Sequence, residues 1–599
     1  MEYQGAVSRR TKIIATIGPA SDQPESLERL LLAGVDLCRI NLSHGVIDDH
    51  LQRLALVREV SARLGRHVGV LADLPGPKLR AGPFPDGGAE IVPGATVQLR
   101  AGDGPSTAAN ITVDYPTLVT DVEPGDRIVL GDGAISMTVL STTDDLVETV
   151  VTSGARTQGR PGVHLSCERF GLHAPTPTDL VLAETMAAAG ADFIGLSFCR
   201  RAEDVQELRS VVGDRARIMA KIETSAALGE LPAITAEADA IMVARGDLGI
   251  DCPLEDVPHL QKEIIRHCVE VGTPVVTATQ MLESMIEGPS PTRAEVSDVA
   301  NAVFDGTDAV MLSAETAIGR NPSHVVTTMA RIAERAETEA SYRQWAERLG
   351  RQQRRRSETR RDLITDSITH AAWQAADDVG AAAILCCTRS GRTAVAMARF
   401  RPTPRLIGLS PDPRTLDALT LSWGVESLQM DESTSTDDMV WYAVERAVAA
   451  GAVRVDEVAV VIAGAPDRAS GAAADVMRIV RVQSLFRRSA QAPRSRLGFD
   501  LARCARWVEF IGAALCCVPR PRRPLIAARS LALARSHPQF NLRISDTRLS
   551  RIALGRGGVA ERPPRAPPNS PPTPLTVDRS ESGWTTASWL LWWLRGWWG

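Results

Sequence analysis

Short apolar segments alternate with amphipathic segments through the first part of the chain. Eight apolar segments are rich in β-branched residues and too short for buried helices, which is typical of parallel strands. They are Ile13–Ile17, Leu37–Ile40, Val68–Asp73, Phe193–Phe198, Ile218–Glu223, Ala240–Val243, Pro274–Thr279 and Ala309–Ser313. Between them, apolar residues recur at helical spacing, as in His50–Leu64 and Glu203–Val212. The pattern predicts an α/β fold, a (β/α)₈ TIM barrel.

One connection in this alternation is much longer than the others. Residues 81–165 separate the third strand from the fourth and contain turn signals such as Val92-Pro93-Gly94 and Glu123-Pro124-Gly125-Asp126. Compact domains rarely contain a structureless loop of that length. We therefore predict an inserted small β-barrel domain at residues 81–165, with the TIM barrel formed by residues 8–80 and 166–345.

The last part of the chain changes character twice. Residues 363–485 again alternate helices with strands, which we place at Ala381–Cys387, Arg405–Leu409 and Val458–Ala463, and they predict a C-terminal α/β domain. Residues 486–599 are rich in Arg, Pro and Trp and show no sustained periodicity, so we predict an unstructured tail.

Charge and composition exclude several classes of function. The net charge is −5, but the tail holds 19 Arg against 6 acidic residues, so the rest of the chain is strongly acidic and unsuited to nucleic acid. We find no signal peptide and no membrane-spanning apolar run, and we expect a cytoplasmic protein without a membrane partner. Only four of the 67 basic residues are lysines, which marks Lys12, Lys78, Lys221 and Lys262 as candidates for roles that need an ammonium group.

Polar side chains cluster where the predicted barrel strands end, and active sites of such barrels lie at that face. Those side chains are Arg39, Asn41, Ser43, Asp73, Lys221, Glu223, Asp247, Thr279, Ser313 and Glu315. Lys221 and Glu223 are two apart on one strand and point to the same side, either as a structural ion pair or as catalytic groups. Asp247 adds a second carboxylate, and two carboxylates with water and substrate oxygens suit Mg²⁺.

A metal ion together with Arg and Lys side chains is the set of groups expected for phosphoryl transfer, because that reaction depends on positioning the reactants and neutralising their charge. No Gly-x-x-x-x-Gly-Lys-Ser/Thr motif occurs in the chain, so it is not a P-loop enzyme.

Five segments resemble motifs of the pyruvate kinase family, in the order of that family. They are Thr11–Ser21, Arg39–Gly45, Met219–Glu223, Ala278–Met285 and Pro291–Glu295, and the resemblance extends over residues 8–485. It implies Mg²⁺- or Mn²⁺-dependent transfer of the phosphoryl group of phosphoenolpyruvate to ADP, giving pyruvate and ATP in the last step of glycolysis. It also implies a homotetramer.

The same resemblance implies roles for individual residues. Lys221 matches the lysine that contacts the transferred phosphoryl group and stabilises the enolate, and Arg39 matches the arginine on that phosphoryl group. Thr279 matches the threonine near the methylene carbon that is protonated, while Glu223 and Asp247 match the divalent-metal ligands. The residues implied in binding substrate or nucleotide are Arg39, Asn41, His44, Arg80, Gly246, Asp247 and Thr279. The inserted domain is implied to close over the barrel mouth and exclude water.

Departures from the family pattern change two expectations. Asn41, Ser43, Asp73 and Leu74 match the monovalent-cation site, but Lys78 stands where potassium-dependent members carry Glu, and Leu74 where they carry Thr. We therefore expect the ammonium of Lys78 to replace potassium, which would not be required. Where the family carries Lys-Gly-Val-Asn-Leu-Pro-Gly, this chain reads Arg160-Pro161-Gly162-Val163-His164-Leu165-Ser166, so Pro161 replaces the lysine. Either Arg160 substitutes for that lysine, or the nucleotide contact from the inserted domain is lost.

A candidate effector site follows the strand Ala381–Cys387. Its residues are Thr388, Ser390, Gly391, Arg392 and Thr393, whose backbone N–H groups and Arg side chain could hold a phosphate before a helix. Similar loops bind sugar-phosphate effectors in the pyruvate kinase family. The alternative is an ordinary Ser/Gly helix cap.

Two other functions fit part of the pattern. Barrel lyases that act on pyruvate enolates also bind Mg²⁺ through Glu and Asp on neighbouring strands, but they lack the inserted and C-terminal domains. A catalytically impaired paralogue that senses phosphometabolites is the other alternative; the intact Lys221, Glu223 and Asp247 argue against it.

Overall fold

The structure is a computed structural model that describes residues 9–131, 133–166, 173–340, 347, 349, 360–433, 435–464 and 474–482. The predicted unstructured tail at residues 486–599 lies outside the described residues. Within the described part of the chain, no helix is both long enough and apolar enough to span a membrane.

Eight parallel strands form a closed barrel, as predicted. The strands are Lys12–Thr16, Leu37–Asn41, Gly69–Asp73, Phe193–Leu196, Arg217–Ile222, Ala240–Ala244, Val275–Ala278 and Ala309–Leu312. Each strand pairs with its neighbours in chain order, and the eighth pairs with the first to close the barrel. Apolar side chains such as Ile14, Leu71 and Met242 fill the barrel interior, so the chemistry is confined to its ends.

Helices surround the barrel and begin and end where local chemistry dictates. They are Pro24–Leu32, Ile47–Leu64, Pro177–Ala188, Ala202–Val212, Ser225–Gly229, Leu231–Glu237, Arg245–Asp251, Val257–Val271, Arg293–Asp305, Ala314–Ala317 and Pro322–Glu339, with a 3₁₀ helix at Glu283–Ile286. Thr292 and Glu295 form a reciprocal capping box at the start of Arg293–Asp305. That helix ends at Gly306, whose φ of 97° is left-handed and favours glycine.

The inserted segment folds as a β-domain, as predicted. Its strands are Leu79–Arg80, Ala89–Glu90, Thr96–Ala101, Asn110–Val113, Arg127–Leu130, Ile135–Thr142, Val147–Ser153, Arg156–Thr157 and Gly162–Ser166, and it has a short helix at Leu118–Asp121. Seven of these strands form one sheet, and a bridge between Ala81 and Val113 brings its two edges together. The sheet therefore curls into a small barrel with its own apolar core.

The C-terminal domain is a five-stranded sheet with helices on it. Its strands are Ala383–Cys387, Arg405–Ser410, Val425–Gln429, Val458–Gly464 and Ala474–Arg481, and its helices are Arg360–Asp378, Arg392–Ala398, Pro413–Leu419 and Thr436–Ala449. The three predicted strands are present. Sequence reasoning missed Val425–Gln429 and the antiparallel edge strand Ala474–Arg481, which are less apolar than the central strands.

A buried ion pair joins this domain to the barrel. Arg401 Nη1 lies 2.7 Å from Asp308 Oδ1, and the two side chains are only 1% and 7% exposed. Asp308 Oδ1 also accepts a hydrogen bond from the Trp423 backbone N–H, and Oδ2 accepts one from Val275. One carboxylate beside the eighth barrel strand therefore satisfies donors from both domains.

We predict that Arg401→Met lowers the free energy of unfolding by about 3–5 kcal/mol, because it leaves the Asp308 charge buried without its partner. Arg335→Met, which removes an exposed helical pair with Glu339, should cost less than about 0.5 kcal/mol. Urea denaturation followed by tryptophan fluorescence measures both. Equal losses in the two variants would contradict the role of the Arg401–Asp308 pair.

Candidate active site

The side chain of Lys221 lies at the centre of a buried charge cluster at the barrel mouth. Its Nζ is 2.9 Å from Glu223 Oε1 and 3.3 Å from Asp73 Oδ1, and it donates a hydrogen bond of 2.7 Å to Ser197 Oγ. Lys221 and Glu223 share one face of the fifth strand, as the sequence predicted. Asp73 reaches the same point because the third strand ends at the same face of the barrel.

Arg39 completes this cluster from the second strand. Its Nε and Nη2 lie 2.7 and 2.6 Å from Asp73 Oδ2, while Nη1 donates to Thr16 Oγ1 at 3.1 Å. Asp73 thus uses one oxygen for Arg39 and the other for Lys221. The carboxylate of Asp73 therefore fixes the distance between the charged groups of Arg39 and Lys221 at the barrel mouth.

The cluster shifts the pKa values of its members in different directions. Burial by itself would lower the pKa of Lys221, but the carboxylates of Asp73 and Glu223 outweigh it and raise that pKa. Burial would raise the pKa of Asp73, yet Lys221 and Arg39 hold it below its usual value. Burial raises the pKa of Glu223, and the nearby Asp247 charge adds to the rise. Lys221 therefore stays protonated at neutral pH.

Glu223 and Asp247 are the residues that fit a divalent cation. The charge of Asp247, which is partly buried, opposes that of the buried Glu223, and a cation between the two carboxylates would relieve their repulsion. Among the described residues, no group of three or more His, Cys, Asp or Glu side chains is placed to hold a metal ion. Two carboxylates leave the remaining positions to water and substrate, which is how proteins commonly bind Mg²⁺.

Thr279 sits on a strained backbone on the far side of the mouth. Thr279 and Gln280 have φ angles of 68° and 55°, a left-handed region that residues with a Cβ rarely adopt. Arg245 holds this turn, since its Nη2 donates to the Thr279 carbonyl at 2.6 Å and its Nε to the Ala278 carbonyl at 3.2 Å. The Gly246 N–H donates to Thr279 Oγ1 at 3.0 Å, which ties Thr279 to the helix that carries Asp247.

Hydrogen bonds connect Lys78 to two residues of the expected monovalent-cation site, Ser43 and Asn41. Lys78 Nζ donates a hydrogen bond of 2.9 Å to Ser43 Oγ, and the Ser43 N–H donates to Asn41 Oδ1 at 3.2 Å. Local desolvation and the charge of Lys221 lower the pKa of Lys78, against the opposing charges of Asp247, Asp73 and Glu223. Leu74 is buried and offers only its carbonyl, which accepts a hydrogen bond from Ser197 Oγ.

Of the residues expected on the nucleotide side, His44 is exposed and Arg80 is partly buried. Partial burial and the charges of Lys78, Arg80 and Arg39 lower the pKa of His44. Arg80 Nη1 donates to the backbone carbonyl of Arg160 at 3.2 Å. Arg160 in turn donates from Nε to the Ala81 carbonyl, so it is engaged within the inserted domain.

Sequence reasoning missed two residues of this site. Ser197 falls within the predicted fourth strand segment, and the rule that polar residues at strand ends mark the site would have found it. Arg245 adjoins Gly246 and Asp247, but nothing in the sequence shows that it contacts the next strand. Glu315, noted at the end of the eighth strand, lies apart from the cluster and accepts N–H groups from Leu282 and Ser313.

The candidate effector residues lie far along the chain from the mouth cluster and line a cavity of about 960 Å³ with residues of the barrel. The Gly391 N–H donates to Thr388 Oγ1 in a turn just before the helix Arg392–Ala398, and no side chain caps that helix at Gly391. Arg217 Nη2 also donates to the Ser390 carbonyl at 3.0 Å. Arg217 is the first residue of the strand that carries Lys221.

This mouth combines a fixed lysine, an arginine and the carboxylates of Glu223 and Asp247 with an inserted β-domain, a combination that fits a barrel enzyme of the phosphotransferase class. Family models described as "Pyruvate kinase, barrel domain" and "Pyruvate kinase, alpha/beta domain" match residues 8–326 and 366–480. The chain belongs to the pyruvate kinase family. Members of this family depend on a divalent metal ion and act on phosphoenolpyruvate and ADP.

Individual relatives agree with this assignment over nearly their whole length. The pyruvate kinase of Methylorubrum extorquens is 40% identical over 484 residues, which cover 81% of this chain and 99% of that protein. The pyruvate kinase of Agrobacterium vitis is 40% identical over 469 residues, covering 78% and 97%. A crystal structure of a pyruvate kinase from Cryptosporidium parvum matches with a TM-score of 0.73 at 32% identity, covering 79% of this chain and 96% of that one.

Proposed function

We propose that the chain transfers the phosphoryl group of phosphoenolpyruvate to ADP in a Mg²⁺-dependent reaction that yields pyruvate and ATP. The observation that carries this proposal is the position of the Lys221 ammonium, held 2.9 Å from Glu223 and 3.3 Å from Asp73 beside Arg39. Phosphoryl transfer needs fixed positive charge where the transition state gathers negative charge.

Lys221 and Arg39 neutralise the phosphoryl oxygens, and Lys221 also stabilises the enolate left after transfer. Because its pKa is raised, Lys221 keeps its proton and acts as a fixed cation and not as a base. Gly246 and Asp247 lie at the start of the helix Arg245–Asp251, where the Asp247 N–H can meet the substrate carboxylate while the Gly246 N–H holds Thr279 Oγ1. Thr279 Oγ1 accepts a hydrogen bond from the Gly246 N–H of that helix. In this proposal Thr279 lies near the methylene carbon and takes part in its protonation.

Glu223 and Asp247 would hold the Mg²⁺ ion, which supplies positive charge to the phosphoryl and enolate oxygens when bound. The inserted domain excludes water from this reaction. Arg127 of that domain donates to the Ile250 carbonyl at 3.4 Å, which brings the domain against the helix that carries Asp247. His44 and Arg80 line the side on which ADP binds.

The two alternative functions are weaker. A barrel lyase would have no use for the inserted and C-terminal domains, and the relatives match this chain across both of them. An impaired paralogue would have no reason to retain the cluster of Lys221, Glu223, Asp73 and Arg39 with its contacts intact.

We predict that Lys221→Met lowers turnover by at least about 10³-fold, because it removes the charge partner of the transition state. An assay of pyruvate formation from phosphoenolpyruvate, ADP and Mg²⁺ measures this loss. Lys262→Met, at a lysine on the helix Val257–Val271, should retain normal turnover. Near-normal turnover of the Lys221 variant would remove Lys221 from the mechanism, and an inactive wild-type chain would overturn the proposed function.

The chain is further proposed to work without potassium. Lys78 Nζ bonds to Ser43 Oγ, between residues that would otherwise contribute to a monovalent-cation site. A lysine supplies positive charge at a fixed position, with no binding equilibrium to satisfy. Asp73 supports this reading because both of its oxygens already face Lys221 and Arg39.

We predict less than a tenfold rise in turnover when potassium replaces a bulky quaternary ammonium salt at constant ionic strength. Tenfold corresponds to about 1.4 kcal/mol of barrier. Lys78→Glu should create a potassium dependence, while the same change at Lys262 should not. A potassium requirement in the wild-type chain would refute the role assigned to Lys78.

The effector proposal rests on the cavity beside Thr388, Ser390, Gly391, Arg392 and Thr393. A phosphate bound there would lie next to the Ser390 carbonyl that accepts from Arg217, at the start of the Lys221 strand. Binding could therefore bias the position of the catalytic lysine through one strand.

We predict that a sugar phosphate or AMP shifts the phosphoenolpyruvate concentration at half-saturation. Arg392→Ala should abolish the shift, and Arg331→Ala, on an exposed helix surface of the barrel, should retain it. An unchanged saturation curve with every such ligand would leave the loop as a helix cap.

The remaining expectations are retained as proposals. The proposed domain boundaries are residues 8–80 with 166–345 for the TIM barrel, 81–165 for the inserted domain and 363–485 for the C-terminal domain. The chain is also proposed to form a homotetramer and to be cytoplasmic. Exposed apolar side chains support association, notably Val296 and Phe304 on Arg293–Asp305 and Ile479 on the edge strand of the C-terminal sheet.

A further inference from the structure

Phe198 connects the backbone of the fourth strand to the metal-binding carboxylate. Its N–H donates a hydrogen bond of 2.6 Å to Glu223 Oε2, while Glu223 Oε1 faces Lys221. Phe198 has a φ of 56°, which residues with a Cβ adopt only when their surroundings impose it. Its neighbours must therefore hold the residue in the conformation that directs this N–H at Glu223.

The Phe198 side chain packs against the apolar core of the barrel, and it also has two neighbours in the connections between the barrel and the inserted domain. Gly76, between the third barrel strand and the inserted domain, packs so closely that a Cβ there would come within 2.8 Å of Phe198 Cδ2, so the ring has no room to move toward Gly76. The ring of His164 lies 6.5 Å from that of Phe198 at an angle of 46°. Aromatic rings at this separation and tilt attract each other.

His164 belongs to the strand Gly162–Ser166, which returns the chain from the inserted domain. That strand pairs with Leu79–Arg80, the strand by which the chain enters the domain. The imidazole therefore moves with the inserted domain, whereas Glu223 belongs to the rigid barrel. Phe198 is the contact between them.

We propose that His164 and Phe198 are positioning residues that hold Glu223 in its metal-binding orientation when the inserted domain covers the mouth. This inference rests on the proposed function and adds to it a route by which lid closure tightens metal binding. Neither residue touches substrate or metal in this account. Their effect is exerted through the hydrogen bond from the Phe198 N–H to Glu223.

The test is the Mn²⁺ dissociation constant of the full chain with saturating phosphoenolpyruvate and no ADP, measured by electron paramagnetic resonance of free Mn²⁺. We expect His164→Asn to raise this constant about threefold to tenfold, as loss of an aromatic pair implies. Asparagine is also the residue in the family motif at this point. His164→Phe keeps a ring on Phe198 and should stay within about twofold of the wild type.

A double-mutant cycle separates positioning from general damage to the fold. Phe198→Leu should raise the constant as His164→Asn does, and the double variant should be no worse than Phe198→Leu alone, because both act through one contact. His259→Asn, the same change on an exposed barrel helix, should have no effect. An unchanged constant in His164→Asn, an equal rise in His164→Phe, or full addition of the two losses would each overturn the inference. Failure of the proposed function would show separately, as a wild-type chain that forms no pyruvate.

Discussion

The site depends on keeping the Lys221 ammonium charged in a place where burial alone would neutralise it. Asp73 and Glu223 provide the compensation, and their carboxylates outweigh desolvation of the amine. Asp73 itself needs a positive partner, because its side chain is only 1% exposed and a buried carboxylate is costly without one. Arg39 provides that charge. The cluster is thus a single electrostatic unit in which no member can be removed without leaving a buried charge uncompensated.

The barrel supplies the precision that this unit requires. Its members come from three separate strands, which end at one face only because the strands are parallel and closed into a ring. The same geometry places Arg245 against the turn of Thr279, and it places Arg217 at the opposite end of the Lys221 strand. The proposed metal carboxylates, protonation site and effector cavity therefore each adjoin an end of a barrel strand.

Much of this arrangement could be predicted from sequence, because strand ends carry a local signal. Lys221 and Glu223 share a face by simple alternation, and Asp73 closes an apolar run. Contacts between strands carry no such signal, which explains why Arg245 and the hydrogen bond from Phe198 to Glu223 were missed. The edge strand Ala474–Arg481 was missed for a related reason, since its exposed positions weaken the apolar pattern.

The most direct test of the central claim is the fate of the phosphoryl group, followed by phosphorus NMR with phosphoenolpyruvate, ADP and Mg²⁺. The cluster around Lys221 and the covering domain predict one ATP formed for each pyruvate, with no inorganic phosphate accumulating and no reaction after the divalent ion is chelated. Pyruvate accompanied by inorganic phosphate, or turnover that persists without a divalent ion, would contradict the account.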